Sequence, residues 1–146
     1  MNDEPTSVSA LASLMEQLAR RIHSQGYAAD LFPAQWAALR YLESAPPHSR
    51  TAIDLARFQG LASGAVARTV RTLISKGLVK KAGTIGRGRA EQLDLTDAGR
   101  EVLAEDPLHA VASALEVLDP SERQALVRGI ELAIRATIDS GDAPQA

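Results

Sequence analysis

The sequence predicts a mostly α-helical fold with one small β-hairpin, on three observations. Apolar residues recur at spacings of three and four near both ends of the chain. Two short strand-like segments separated by glycines lie just past the middle. Positive charge is gathered around them: from Arg50 to Ala90 there are nine cations (Arg50, Arg57, Arg68, Arg71, Lys76, Lys80, Lys81, Arg87, Arg89) against one anion, Asp54, a net +8. The rest of the chain has seven cations and 17 anions, a net −10. The total of −2 therefore hides a basic centre between acidic ends. Such asymmetry suits a polyanionic partner, because Lys and Arg on phosphates release condensed counterions.

Each element has its own signal. Val8, Leu11, Met15, Leu18 and Ile22 are spaced 3, 4, 3, 4 and predict an amphipathic helix, capped by Ser7 or Ser9 and ended near Gly26. Phe32-Pro33 opens a second helix burying Trp36, Leu39 and Leu42, which Ala45-Pro46-Pro47-His48 breaks. Ser49 or Thr51 caps a short helix with Ile53, Leu55, Ala56 and Phe58. Gln59-Gly60-Leu61-Ala62 makes a tight turn into a longer helix from about Ser63 to Lys76, ended by Gly77. Leu78–Lys81 and Glu91–Leu95 read as two strands, with Gly83, Gly86 and Gly88 supplying a flexible hairpin between them. Thr96 caps the next helix, with Asp97 in its first turn. Leu108, Val111, Leu115 and Leu118 continue a helical stripe that Pro107 should interrupt. Asp119-Pro120-Ser121-Glu122 starts a last helix with the stripe Leu126, Ile130, Ala133, Ile134, Ile138.

Composition narrows the function classes. With 146 residues, 45 % of them hydrophobic, the chain can bury a real core as a single domain. There is no cysteine, so disulfides, thiolate metal sites and thiol redox sensing are excluded. No apolar run approaches the roughly 20 residues that span a bilayer, and MNDEPTS lacks the basic and apolar regions of a signal peptide. The expectation is a cytoplasmic protein with no membrane partner. The few aromatics (Tyr27, Phe32, Trp36, Tyr41, Phe58) argue against a stacking platform for single-stranded nucleic acid.

The middle segment carries the chemistry. Projected at 100° per residue, Val66, Val70 and Leu73 share one side of the Ser63–Lys76 helix. Gly64, Arg68, Arg71 and Ser75 fall opposite, flanked by Ala67 and Thr72. A short helix, a glycine turn and a second helix with small and guanidinium side chains outward is a helix-turn-helix. Its second helix enters the major groove, where an Arg fork can address guanine O6 and N7. Small residues such as Gly64 and Ala67 let the backbone approach base edges. Lys80 and Lys81 flank the first strand and Arg87 and Arg89 sit at the hairpin tip, within reach of phosphates or the minor groove. The whole reads as a winged helix-turn-helix flanked by N- and C-terminal dimerisation helices.

Phe32-Pro33-Ala34-Gln35-Trp36-Ala37-Ala38-Leu39-Arg40, Lys76-Gly77-Leu78-Val79 and Leu95-Thr96-Asp97-Ala98-Gly99-Arg100 resemble the MarR family of bacterial winged-helix transcription factors. The resemblance covers nearly the whole chain, 1–146, as one domain with a DNA-binding lobe at 32–99 and dimerisation helices at 7–31 and 100–140. It implies a homodimer on a palindromic operator, and a small organic effector, often a phenolic acid, between the dimerisation helices and the DNA-binding lobe. Two positions depart from the pattern. Family wings carry Asp-x-Arg, and here Arg87 stands where the Asp would be and Arg89 where the Arg is. Arg71 falls where an acidic or amide residue is common.

The expected DNA-binding set is Ser63, Gly64, Ala65, Ala67, Arg68, Arg71, Thr72, Lys80, Arg87 and Arg89. Candidate effector contacts are His23, Tyr27, Trp36 and Arg40, although core packing alone explains Trp36 and a structural role suits His23. His23, His48 and His109 lack metal-ligand spacing, no cofactor is expected, and no Ser–His–Asp set or carboxylate pair points to an enzyme. Gly83–Gly88 lacks the Gly-Lys-Ser/Thr ending of a phosphate-binding loop. A repressor released by a small effector is the leading expectation. The alternative is a winged-helix protein-interaction module that docks an acidic partner without sequence-specific DNA binding. A steep fall of duplex affinity with salt separates the two.

Overall fold

The computed structural model describes residues 7–86, 88 and 90–141, which form seven α-helices and one antiparallel hairpin. In order these are α1 (Val8–Gln25), α2 (Pro33–Ser44), α3 (Ala52–Gln59), α4 (Ser63–Ser75), β1 (Val79–Ile85), β2 (Ala90–Leu95), α5 (Asp97–Ala104), α6 (Leu108–Ala114) and α7 (Pro120–Gly141). Short 3-10 turns occupy Ala28–Asp30, Pro47–Ser49 and Leu115–Val117. The predicted fold class is therefore the observed one.

Helix starts follow their capping chemistry. Ser7, rather than Ser9, caps α1, its Oγ accepting from the Ala10 amide at 3.1 Å. Pro33 takes the first position of α2, where its missing N–H costs nothing. Thr51, rather than Ser49, caps α3: its Oγ1 accepts from the Asp54 amide at 3.2 Å and donates to Asp54 Oδ2 at 2.9 Å. Gly60, at φ +64°, ends α3 in the left-handed conformation that favours glycine. Thr96 caps α5 by accepting from the Gly99 amide at 3.0 Å. Asp119 and Glu122 cap α7 reciprocally, at 2.9 and 3.1 Å. The Glu122 amide holds the Asp119 carboxyl below the usual carboxylate range.

Two expectations need correction. The first strand runs to Ile85, well beyond Lys81, so Gly83 lies inside β1 instead of in the connecting loop. The register explains why the sequence hides this. Pairing runs from Val79 opposite Leu95 to Ile85 opposite Ala90, with an irregularity between Lys81 and Thr84. Gly83, at φ +96°, provides the kink, and a bulge breaks the alternation from which strands are recognised. The second correction concerns the stripe from Leu108 to Leu118. Pro107 separates α5 from α6 as anticipated, but α6 then tightens into the 3-10 turn at Leu115–Val117.

The chain divides into two compact units. One comprises Arg21–Pro107. Its core gathers Trp36, Ala38, Leu39 and Leu42 of α2, Leu55 of α3, Val66, Val70 and Leu73 of α4, Val79, Leu93 and Leu95 of the hairpin, and Leu103 of α5. Gly99 allows α5 to press on the hairpin base, since a Cβ there would collide with the Leu78 carbonyl oxygen. The other unit consists of the described residues up to Arg20 together with those from Leu108 onward. Here α1 and α7 approach at Met15 and Gly129, where a Cβ on the glycine would meet Met15 Cε at 4.0 Å. Leu11, Leu14, Leu18, Leu126, Ile130, Ile134 and Ile138 all remain exposed in the single chain.

Candidate nucleic-acid interface

Helix α4 is anchored by one face and free on the others. Val66, Val70 and Leu73 are buried, while Ser63, Gly64, Ala65, Ala67, Arg68 and Arg71 are exposed. Thr72 is half-buried and its Oγ1 donates to the Arg68 carbonyl at 3.0 Å, so its hydroxyl proton is committed to its own helix. No side chain caps the N-terminus at Ala62, and the Ala65 amide already bonds the Ala62 carbonyl, which leaves the amides of Ser63 and Gly64 available to an anion. The sequence projection thus matches the helix orientation, with one refinement. Arg71 borders a cleft of about 330 Å³ shared with Ala67, Ile74, Ile53, Lys81 and Glu91. It stands on the wing side of α4, whereas Arg68 points away from the core.

Lys80 and Lys81 are exposed on β1. Lys81 Nζ lies 3.6 Å from Glu91 Oε2, which moderates its charge. Arg87 and Arg89 lie outside the described residues.

The base of the hairpin is held by contacts that sequence reasoning missed. Arg50 donates from Nε to the Ala45 carbonyl at 2.9 Å and from Nη1 to Asp94 Oδ1 at 3.1 Å. Its own carbonyl accepts from the Leu93 amide at 2.7 Å. Gln92 Nε2 donates to the Pro47 carbonyl at 3.3 Å. The charge count of the basic segment includes Arg50, and partners 44 residues apart leave no trace in local spacing that would set it aside. At the other end of α4, Lys76 Nζ donates to the Asp30 carbonyl at 2.5 Å.

The four candidate effector contacts fall into two pairs. His23 meets Tyr27 edge to face at 5.9 Å, and Tyr27 meets Phe32 likewise at 5.8 Å. Trp36 is fully buried and its indole N–H donates to the Ala28 carbonyl at 3.3 Å. Arg40 lies 5.7 Å from the Trp36 ring centroid and grips Asp106 with two hydrogen bonds, of 2.8 and 2.7 Å. An incoming carboxylate at Arg40 would compete with Asp106. Among the described residues, no three His, Asp or Glu come together as a metal site, and no helix is long and apolar enough to cross a membrane.

Residues 29–90 match the MarR family model. The solved structures that resemble this chain include a Staphylococcus aureus MepR–DNA complex, at 15 % identity and TM-score 0.68 over 90 % of this chain and 96 % of that one. Staphylococcus aureus MarR in complex with salicylate and kanamycin aligns at 16 % identity and TM-score 0.63 over 92 % and 91 %. A probable transcriptional regulator from Pseudomonas aeruginosa aligns at 25 % identity and TM-score 0.59 over 85 % and 96 %. No curated protein sequence matches the chain. The winged lobe thus matches the MarR family model over residues 29–90, and the chain shares the fold of these solved regulators along most of its length.

Proposed function

We propose that the protein is a DNA-binding transcriptional regulator that acts as a homodimer on a palindromic operator, most simply as a repressor released by a small organic effector. The observation that carries this reading is the outer face of α4. Arg68 projects from it beside Gly64, Ala65 and Ala67, in a segment of net +8. Small residues permit close approach to the major groove, and the guanidinium supplies a fork for guanine. Arg71, Lys80, Arg87, Arg89 and the amides at Ser63 extend the reach to phosphates; Thr72 would add only van der Waals contact.

The homodimer follows from the apolar residues left exposed on α1 and α7, since patches of this kind mark interfaces. Two-fold symmetry then sets two α4 helices roughly 34 Å apart, one turn of duplex. A small aromatic acid suits either the exposed rings of Tyr27 and Phe32 beside His23, or the Arg40 guanidinium over Trp36. The S. aureus relatives bound to DNA and to salicylate lend support by analogy of fold.

Binding isotherms at several salt concentrations, on a duplex selected by the protein from a randomised pool and on its scrambled counterpart, test the proposal. The logarithm of affinity should fall steeply and linearly with the logarithm of salt concentration. Arg68→Ala should cost about 1–3 kcal/mol per half-site and relax preference at one or two base pairs. Replacing Arg87 and Arg89 together should weaken both duplexes evenly and lower the salt slope by about 2 per wing. Failure to select any duplex, with binding to acidic protein surfaces instead, would favour the docking-module alternative.

A further inference from the structure

Arg50 is one of the nine cations of the basic segment, yet its geometry is that of a structural junction. Its guanidinium spans two acceptors, Asp94 on β2 and the carbonyl of Ala45 at the end of α2. Its backbone carbonyl takes the amide of Leu93, and the next residue, Thr51, caps α3. One residue therefore touches the wing strand, the end of α2 and the start of the helix-turn-helix. The ion pair with Asp94 is half-buried, the two side chains being 26 % and 28 % exposed. A planar guanidinium can hold two acceptors in fixed directions, which an ammonium cannot. Beyond this base, the hairpin stands on Val79, Leu93 and Leu95, while the bulge around Gly83 breaks the regular pairing further out.

We infer that Arg50, through Asp94, sets the angle of the wing relative to α4, and that it acts on DNA as a positioning residue without contacting phosphate. The inference rests on the DNA-binding reading above. It has an unusual electrostatic consequence. If residues 50 and 94 acted only through their charge, removing the carboxylate at position 94 would strengthen binding to a polyanion. If they hold the wing in register, removing it must weaken binding, because the wing cations then search a wider range of positions before meeting the backbone.

The test uses the full chain and the duplex that the wild type selects from a randomised pool, with isotherms from low to high salt. Asp94→Asn should lower affinity about three- to tenfold despite the added positive charge. Arg50→Ala should lower it about tenfold with the salt slope unchanged, and the double variant should bind no worse than Arg50→Ala alone, as expected for two residues acting as one unit. Arg50→Lys keeps the charge but not the two-acceptor fork, so it should bind below wild type while remaining folded. Hydrogen exchange should show faster opening of the β2 amides in all these variants. Tighter or unchanged binding by Asp94→Asn, or a fall of about one in the salt slope for Arg50→Ala, would overturn the inference and make Arg50 a phosphate contact. If the wild type itself selects no duplex, the DNA-binding reading fails instead, and the β2 exchange rates still decide whether Arg50 fixes the wing.

Discussion

The two compact units have similar amphipathic patterns and opposite outcomes. In Arg21–Pro107 the apolar stripes of α2, α4 and the hairpin converge, and every buried residue among those described lies between Gly26 and Asp106. In the unit built from α1, α6 and α7 the stripes are just as regular, yet Ile134 and Ile138 stay 53 % and 59 % exposed. Burial is worth about 25 cal/mol per Å² of apolar surface, so a helix pair left this bare retains a large drive toward a partner. One unit is stabilised from within, while the other leaves its apolar stripes bare. On the proposed homodimer, the contrast separates residues whose loss would unfold the lobe from those whose loss would dissociate the two chains.

Charging the exposed stripe is the strongest way to break this contrast. Ile130→Glu combined with Ile134→Glu should abolish dimers at micromolar concentration, because two carboxylates cannot be buried unpaired. Duplex affinity should fall at least about 100-fold, since each half-site is then held alone. The winged lobe should keep its cooperative unfolding, and sedimentation velocity with circular dichroism reads both effects.

The complementary change sits at the centre of the lobe. Trp36→Ala should destabilise it by about 3–5 kcal/mol, through lost contacts and the cavity left beneath α2. Urea unfolding measures the loss directly. A cost under about 1 kcal/mol would mean that the indole is not the core element its burial indicates.

A smaller effect sharpens the picture at the edge of the lobe. Burial, then the nearby Asp54 charge, raises the Tyr41 phenol above its ordinary value near 10. Its hydroxyl donates to the Ser49 carbonyl at 2.7 Å, which requires the proton. A raised folded value means that the stabilisation is complete below about pH 10 and is lost as pH rises through the higher folded value. Tyr41→Phe should cost about 1 kcal/mol at neutral pH and flatten the decline above pH 10. Equal slopes in the two proteins would show that Tyr41 contributes nothing to alkaline unfolding.

Local signals carried most of the architecture. Thr51, Gly60, Thr96 and Asp119 mark helix ends because caps act within three or four residues, and the orientation of α4 follows from Val66, Val70 and Leu73 alone. The features that escaped are long-range or irregular. Arg50 with Asp94, Arg40 with Asp106 and Lys76 with the Asp30 carbonyl join residues separated by 44, 66 and 46 positions. The length of β1 was hidden by its bulge. Arg71 turned toward the wing cleft, a side that a helical projection cannot distinguish from open solvent without knowing where the hairpin lies.

Sedimentation equilibrium of the full chain, alone and with one equivalent of its selected palindromic duplex, tests the central claim most directly. The account predicts a two-chain species at micromolar concentration, and a complex of two chains on one duplex that disappears when Ile130 and Ile134 are both replaced by Glu. A chain that stays monomeric at that concentration while binding the palindrome with undiminished affinity would contradict it.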